Sequence, residues 1–162
     1  MERIKILEWE IEIDKEKTIQ HYKSLPLVSN GCCCDECINY VQACDYVPSE
    51  FLALTEGLGI NLKKAAETFY CADYDDGTCL YWVGCDIIGR IVNGPDRTMK
   101  QEKIQVWKEH KTPDRVPDKK TFIKGFDICF YTISPITING VEFETITLDF
   151  EGVFLRIPNR KE

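Results

Sequence analysis

Five cysteines fall between Asn30 and Tyr46, in the run NGCCCDECINYVQACDY: Cys32, Cys33, Cys34, Cys37 and Cys44. Thiolate sulfur is both a nucleophile and a soft metal ligand, so the chemistry of this chain is concentrated here. Cys34 and Cys37 have C-x-x-C spacing. That spacing lets one tight turn present two thiolates to a tetrahedral metal, and it is also the spacing of dithiol oxidoreductases. The residues between them discriminate: two carboxylates, Asp35 and Glu36, oppose thiolate formation and favour a bound dication. A helix over Ile38 to Cys44 would act the other way, because its N-terminus would lower the Cys37 pKa. The strand that precedes the motif in the oxidoreductase context is missing, since Val28-Ser29-Asn30-Gly31 reads as loop. Metal binding therefore ranks above redox catalysis.

A closed zinc site needs four ligands. In a helix, Cys44 would stand about 10 Å from Cys37, too far to share one metal, and it is assigned to the core. Cys79 and Cys85 would lie on one face of a strand but about 20 Å apart, so only one of them can join. Cys71 stands across the Asp75-Asp76-Gly77 turn from Cys79. The expected site is thus Cys34, Cys37, Cys71 and Cys79, with zinc as the ion and His21 as a reserve ligand. No second C-x-x-C supports the set, and free cysteine is among the most buried residue types, which is the competing reading of these thiols. Calcium at Asp75-Asp76-Gly77 fails on spacing: with Gly77 as the loop glycine, Ala72, Tyr74 and Val83 occupy ligand positions.

The same stretch resembles a family of small uncharacterised bacterial proteins that carry C-x-x-C-x-N-[FY], a Leu/Val-Pro helix start and a Leu-Gly-Ile turn. The matching residues are Cys34, Cys37, Asn39, Tyr40, Val47, Pro48, Leu58, Gly59 and Ile60, with a looser match over Tyr81 to Ile91, about a third of the chain. The resemblance implies a bacterial, cytoplasmic source and assigns no activity. Cys32 and Cys33 depart from its pattern, so it supports only the first two members of the zinc set.

The elements that position these residues follow from periodicity. Leu7, Trp9, Ile11 and Ile13 alternate with Glu8, Glu10, Glu12 and Asp14, which predicts a half-buried strand with its acidic row in water. Asp14 caps a helix that Pro26 ends, with Ile19 and Tyr22 inward. Pro48 suits the start of a helix carrying Phe51, Leu54, Thr55 and Leu58. Asn61 is expected to cap another, with Leu62, Ala65, Ala66 and Phe69 as its buried stripe. Two helices around Gly57-Leu58-Gly59 suggest a helix-turn-helix, but only Lys63 and Lys64 would meet phosphate, so a structural hairpin is the better reading. Cys79 to Val92 reads as one or two strands broken at Gly84 and Gly89. Asp96 to His110 stays ambiguous, and Lys111 to Lys120, with Pro113 and Pro117, reads as loop. Phe126 to Ile133, a type I′ turn at Asn139-Gly140, Phe143 to Phe150, a turn at Glu151-Gly152 and Val153 to Ile157 form an antiparallel meander.

Composition sets the remaining bounds. A chain of 162 residues with 44% apolar content buries roughly 70% of its extended surface as one domain. A net charge of −7 repels nucleic acid and anionic membrane surfaces. The start, MERIKILEWEIEID, lacks an apolar leader and no apolar run reaches the ~18 residues of a membrane span, so the expectation is a cytoplasmic protein. Nine cysteines, an odd number, fit reduced thiols or a metal better than a disulfide framework. The sequence predicts a single α+β domain, an antiparallel sheet with a C-terminal meander packed by the helices of residues 14 to 71. Its expected function is non-catalytic binding of a small molecule or protein, with no nucleic acid or membrane partner. The alternative is a thiol-dependent redox enzyme using Cys34 and Cys37. Trp9, Ile11, Phe51, Leu54, Phe69, Phe130 and Leu148 are the expected core.

Overall fold

The computed structural model describes residues 1–96 and 119–158. The readings made for 97–118, including the Pro113/Pro117 loop, lie outside the described residues. The fold is α+β. Among the described residues, seven strands, β1 (Glu2–Ile6), β2 (Trp9–Ile13), β3 (Glu67–Asp73), β4 (Thr78–Asn93), β5 (Lys120–Ile123), β6 (Phe126–Ile138) and β7 (Val141–Leu155), form one antiparallel sheet in the order β1-β2-β4-β7-β6-β5, with β3 paired to β4. Four short helices, α1 (Lys15–Lys23), α2 (Val28–Gly31), α3 (Asp35–Ala43) and α4 (Ser49–Gly57), lie between β2 and β3 in the chain. No described helix is long and apolar enough to cross a membrane.

The N-terminal alternation holds at Trp9, Ile11 and Ile13, all buried, but not at Leu7. Leu7 sits in the β1–β2 turn with φ 52, a left-handed conformation that a leucine rarely adopts and that no glycine or asparagine announces in the sequence. The acidic row has an ordinary role: Arg3 reaches Glu10 and Glu12 at 3.4 Å, and Arg90 reaches Glu12 at 3.0 Å. Asp14 caps α1 as expected, accepting from the Lys17 amide at 3.0 Å. Thr18, fully buried one turn on, accepts from the Ile88 amide at 3.1 Å and ties α1 to β4.

Three expectations are corrected. Asn61 caps only a single 3-10 turn, Leu62–Lys64, after which the chain enters β3. The Ala66 amide bonds to Gly84 O and Glu67 to Asp73 ladders onto β4, so backbone pairing with a long strand outweighs a helical apolar pattern. Phe69 is accordingly exposed at 56%, and the helix-turn-helix reading falls with its second helix. Gly84 and Gly89 do not break β4; at Gly89 a Cβ would lie 2.4 Å from Glu12 O, so glycine allows β2 to approach. Nor do Glu151 and Gly152 form a turn, because β7 runs straight through them. A Cβ on Gly152 would come within 2.7 Å of the Phe126 ring. Glycine there makes room for aromatic packing.

That packing is the core between helices and sheet. Phe51 of α4 lies 4.4 Å from Phe126 and 4.8 Å from Phe150 by ring centroids, and Tyr40 of α3 lies 5.3 Å from Phe154. Trp9, Ile11, Phe51, Phe130 and Leu148 are buried as expected, and Leu54 packs partly buried against them. The type I′ turn is as read, with Asn139 at φ 52 and Gly140 at φ 78. Phe130→Ala is expected to cost about 3–5 kcal/mol in urea unfolding. Gly152→Ala should cost about 1–3 kcal/mol by overpacking; a change within experimental error would contradict the ring contacts assigned to it.

A candidate metal centre at the start of the third helix

Three thiols converge where α3 begins. The Sγ atoms of Cys32, Cys34 and Cys37 all lie within 4.8 Å of one another, with Cys32 and Cys34 exposed and Cys37 half-buried. Local backbone chemistry explains it. The segment read as loop is a single helical turn, α2, and Cys32 follows it in extended conformation. Cys34 is then the N-cap of α3, with φ −72 and ψ 156, so its side chain turns back over the first helical turn and its Sγ accepts from the Cys37 amide at 3.5 Å. Cys32 Sγ lies 3.2 Å from Cys34 Sγ.

The environment separates the thiols electrically. The Cys37 amide and then the Cys32 thiol hold the Cys34 pKa below the ordinary thiol value. Burial, followed by the neighbouring Cys34 and Cys32 side chains, pushes Cys37 up to about 12. The two carboxylates of the motif are not equivalent either. Glu36 accepts from Arg156 Nη1 at 2.9 Å, and Arg156 also grips Asp73 at 2.5 Å, so Glu36 shares one cation with Asp73. Asp35 alone is left exposed in the first turn without an ion pair among the described residues.

α3 is held at this place by Asn39, which is 4% exposed. Its amide nitrogen donates to Tyr81 Oη at 3.1 Å and to Leu155 O at 3.2 Å, and its oxygen accepts from the Ile157 amide at 2.8 Å. Tyr81 in turn donates to Glu36 O at 2.8 Å, and Tyr40 donates to Leu62 O at 2.7 Å. The first turn of α3 is thereby fixed to the ends of β4 and β7.

Of the four cysteines expected to form a site, the structure brings together Cys34 and Cys37 and joins Cys32 to them. Cys79 is fully buried on β4, with Asn39 Nδ2 at 3.6 Å and its thiol directed at Phe154 O. Cys71 is exposed at the β3 bulge, where its thiol faces Phe69 O and its pKa is raised first by burial and then by Glu151. Cys44, Cys85 and Cys129 are core residues, Cys44 as expected. His21 lies edge-on to Tyr22 on α1, apart from the thiol group. The signal for Cys32 was its C-x-C spacing to Cys34, legible once Cys34 is recognised as a cap.

A second cluster of ionisable groups, on β4 and β7, is already satisfied. Trp82 donates to Asp149, and Lys119 lies 3.5 Å from Asp149, 3.4 Å from Glu151 and 4.4 Å over the Trp82 ring. Burial raises the Asp149 carboxyl, which Lys119 partly offsets.

Comparison of the chain with known protein families, with curated proteins and with solved structures finds no match. The site is therefore read from its geometry. Three thiols at one helix start supply a trigonal face for a soft cation, and the exposure of Cys32 and Cys34 leaves room for a further ligand on the solvent side.

Two outcomes are expected. Iodoacetamide at pH 7.5 should modify Cys34 before Cys37, because a lowered pKa gives the larger thiolate fraction near neutrality. Peptide mass spectrometry reads the order, and equal rates would contradict the assigned asymmetry. Asn39→Ala should lower stability by about 1–3 kcal/mol, since it orphans buried partners on two strands; a loss under about 0.5 kcal/mol would remove Asn39 from its anchoring role.

Proposed function

We propose that this is a non-catalytic binding protein of the cytoplasm whose Cys32, Cys34 and Cys37 thiolates hold a zinc ion, with the fourth position left to water or to a partner's ligand. The observation that carries the reading is the convergence of three Sγ atoms within 4.8 Å at a capped helix start. The chemistry of the donor set fits: thiolate is a preferred zinc ligand, and a helix N-terminus stabilises the negative charge that three thiolates bring. A reducing compartment keeps such thiols free. The lowered Cys34 pKa favours its thiolate form, while Cys37 would lose its proton as the metal binds, so affinity rises with pH.

One observation favours a second reading, a thiol enzyme using Cys34 and Cys37. The pairing of a lowered, exposed Cys34 with a raised, half-buried Cys37 is the asymmetry a nucleophilic and a resolving cysteine require. The helical turn before the motif, in place of a strand, argues for the metal.

The two are separated by elemental analysis of protein purified without a metal-affinity tag. Stoichiometric zinc that is lost in Cys32→Ser and Cys34→Ser but kept in Cys71→Ser supports the metal site. Because metal binds the folded form preferentially, chelation should also lower the melting temperature. Metal-free protein with an unchanged melting temperature after chelation, and a Cys34 thiolate titrating near or below 7, would transfer the site to redox chemistry.

A further inference from the structure

A groove unrelated to the thiol cluster opens between α1, α4 and the turn that follows α4. Its volume is about 570 Å³, within the range of small-molecule sites. Ile19 and Tyr22 of α1, Leu52 and Thr55 of α4, and Ile60 and Leu62 form its walls. Ile19 and Leu52, from different helices, are both 38% exposed, so two large aliphatic side chains are left in water at the same opening. Gly59, at φ +80, lets the end of α4 reach α1: a Cβ there would lie 2.9 Å from Lys15 O. Cys44 adds to the lining, and burial pushes its thiol up to about 12, so it stays neutral and apolar.

The charged groups at this groove run against the sign of the chain. Lys23, Lys63 and Lys64 line it with Asp45 and Glu56, in a protein of net charge −7. Asp45 is taken by Lys63 at 2.8 Å. Lys64 Nζ is held by Tyr22 O at 3.0 Å, and neither it nor Lys23 has an acidic partner among the described residues. Two uncompensated ammonium groups therefore face one carboxylate, Glu56, beside an apolar cavity.

We infer that this groove binds a small amphipathic anion, an aliphatic monocarboxylate whose tail lies along Ile19, Leu52 and Ile60 and whose head meets Lys23 and Lys64. Lys64 is already oriented by the Tyr22 carbonyl, and Lys23 is exposed at the same groove. The inference stands independently of the thiol cluster.

Amide chemical shifts of the full chain, titrated with octanoate, decanoate and octanol, give the test. Saturable shifts are expected in α1 and in residues 52–64, with decanoate binding roughly tenfold tighter than octanoate, as two added methylenes require. Octanol should bind at least about fivefold more weakly than octanoate, the effect of losing two partly solvated charge contacts. The Lys23→Gln/Lys64→Gln variant should weaken octanoate by about the same factor while leaving octanol unchanged, which a merely structural loss would not do. Leu52→Ser, at a half-exposed position, should weaken all three ligands. Absence of saturable shifts with either carboxylate, octanol binding as tightly as octanoate, or shifts centred elsewhere would each overturn the assignment, the first leaving the groove to an occupant such as a partner's helix.

Discussion

One buried amide sets where the chemistry of this protein can occur. Asn39 joins α3 to the ends of both β4 and β7 by hydrogen bonds, using its nitrogen toward Tyr81 and Leu155 and its oxygen toward the Ile157 amide. A buried amide with satisfied donors and acceptor is directional in a way that apolar contact is not, and leaving any of its partners unpaired would cost the full desolvation of that group. Cys34 caps α3 and Cys37 lies in its first turns, so fixing the helix by Asn39 also fixes the two thiols relative to the sheet. Arg156, two residues before Pro158 and beside Ile157, reinforces the same junction through Glu36 and Asp73.

This junction accounts for the residue types around the cluster. Asn39 and Tyr40, which follow the C-x-x-C pair, both make buried hydrogen bonds at the helix–sheet boundary, and the Tyr40 ring packs on Tyr81 and Phe154. Glu36 serves Arg156, which changes the electrostatic argument made from its position between the cysteines. That carboxylate shares its cation with Asp73, the amide at Cys37 is the largest influence at Cys34, and the thiol that leans on the helix start is the acidic one. The thiol one turn further in pays for its burial.

The proposed anion groove depends on a different constraint. Gly59 allows α4 to close against α1, and the same closeness brings Ile19 and Leu52 to one groove that Lys23, Lys63 and Lys64 also line. The thiol cluster is polar and largely exposed, whereas the groove combines aliphatic walls with charged side chains. The two features call for different ligands.

Periodicity and capping were enough for much of the fold: the Asp14 cap, the helix after Pro48, the Asn139-Gly140 turn, the burial of Trp9, Ile11, Phe51, Phe130 and Leu148, and the α+β class itself. These are local signals, a short-range hydrogen bond or a repeat of 2 or 3.6 residues, and tertiary context had no reason to override them. Tertiary structure decided the rest. Leu62 to Phe69 carries a helical apolar stripe, but an open edge on β4 offered its backbone a ladder, and Phe69 went to the surface. Gly152 reads as a turn until the rings of Phe126 and Phe154 are placed beside it. Cys79 was expected as a fourth ligand from its place across the Asp75-Asp76-Gly77 turn from Cys71 yet is held in the core beside Asn39, while Cys32, whose signal was only a C-x-C spacing, stands with Cys34. Spacing along a chain limits which thiols can meet. Which of them do meet was decided by the cap at Cys34 and by the amide of Asn39, contacts that exist only when the helix is docked on the sheet.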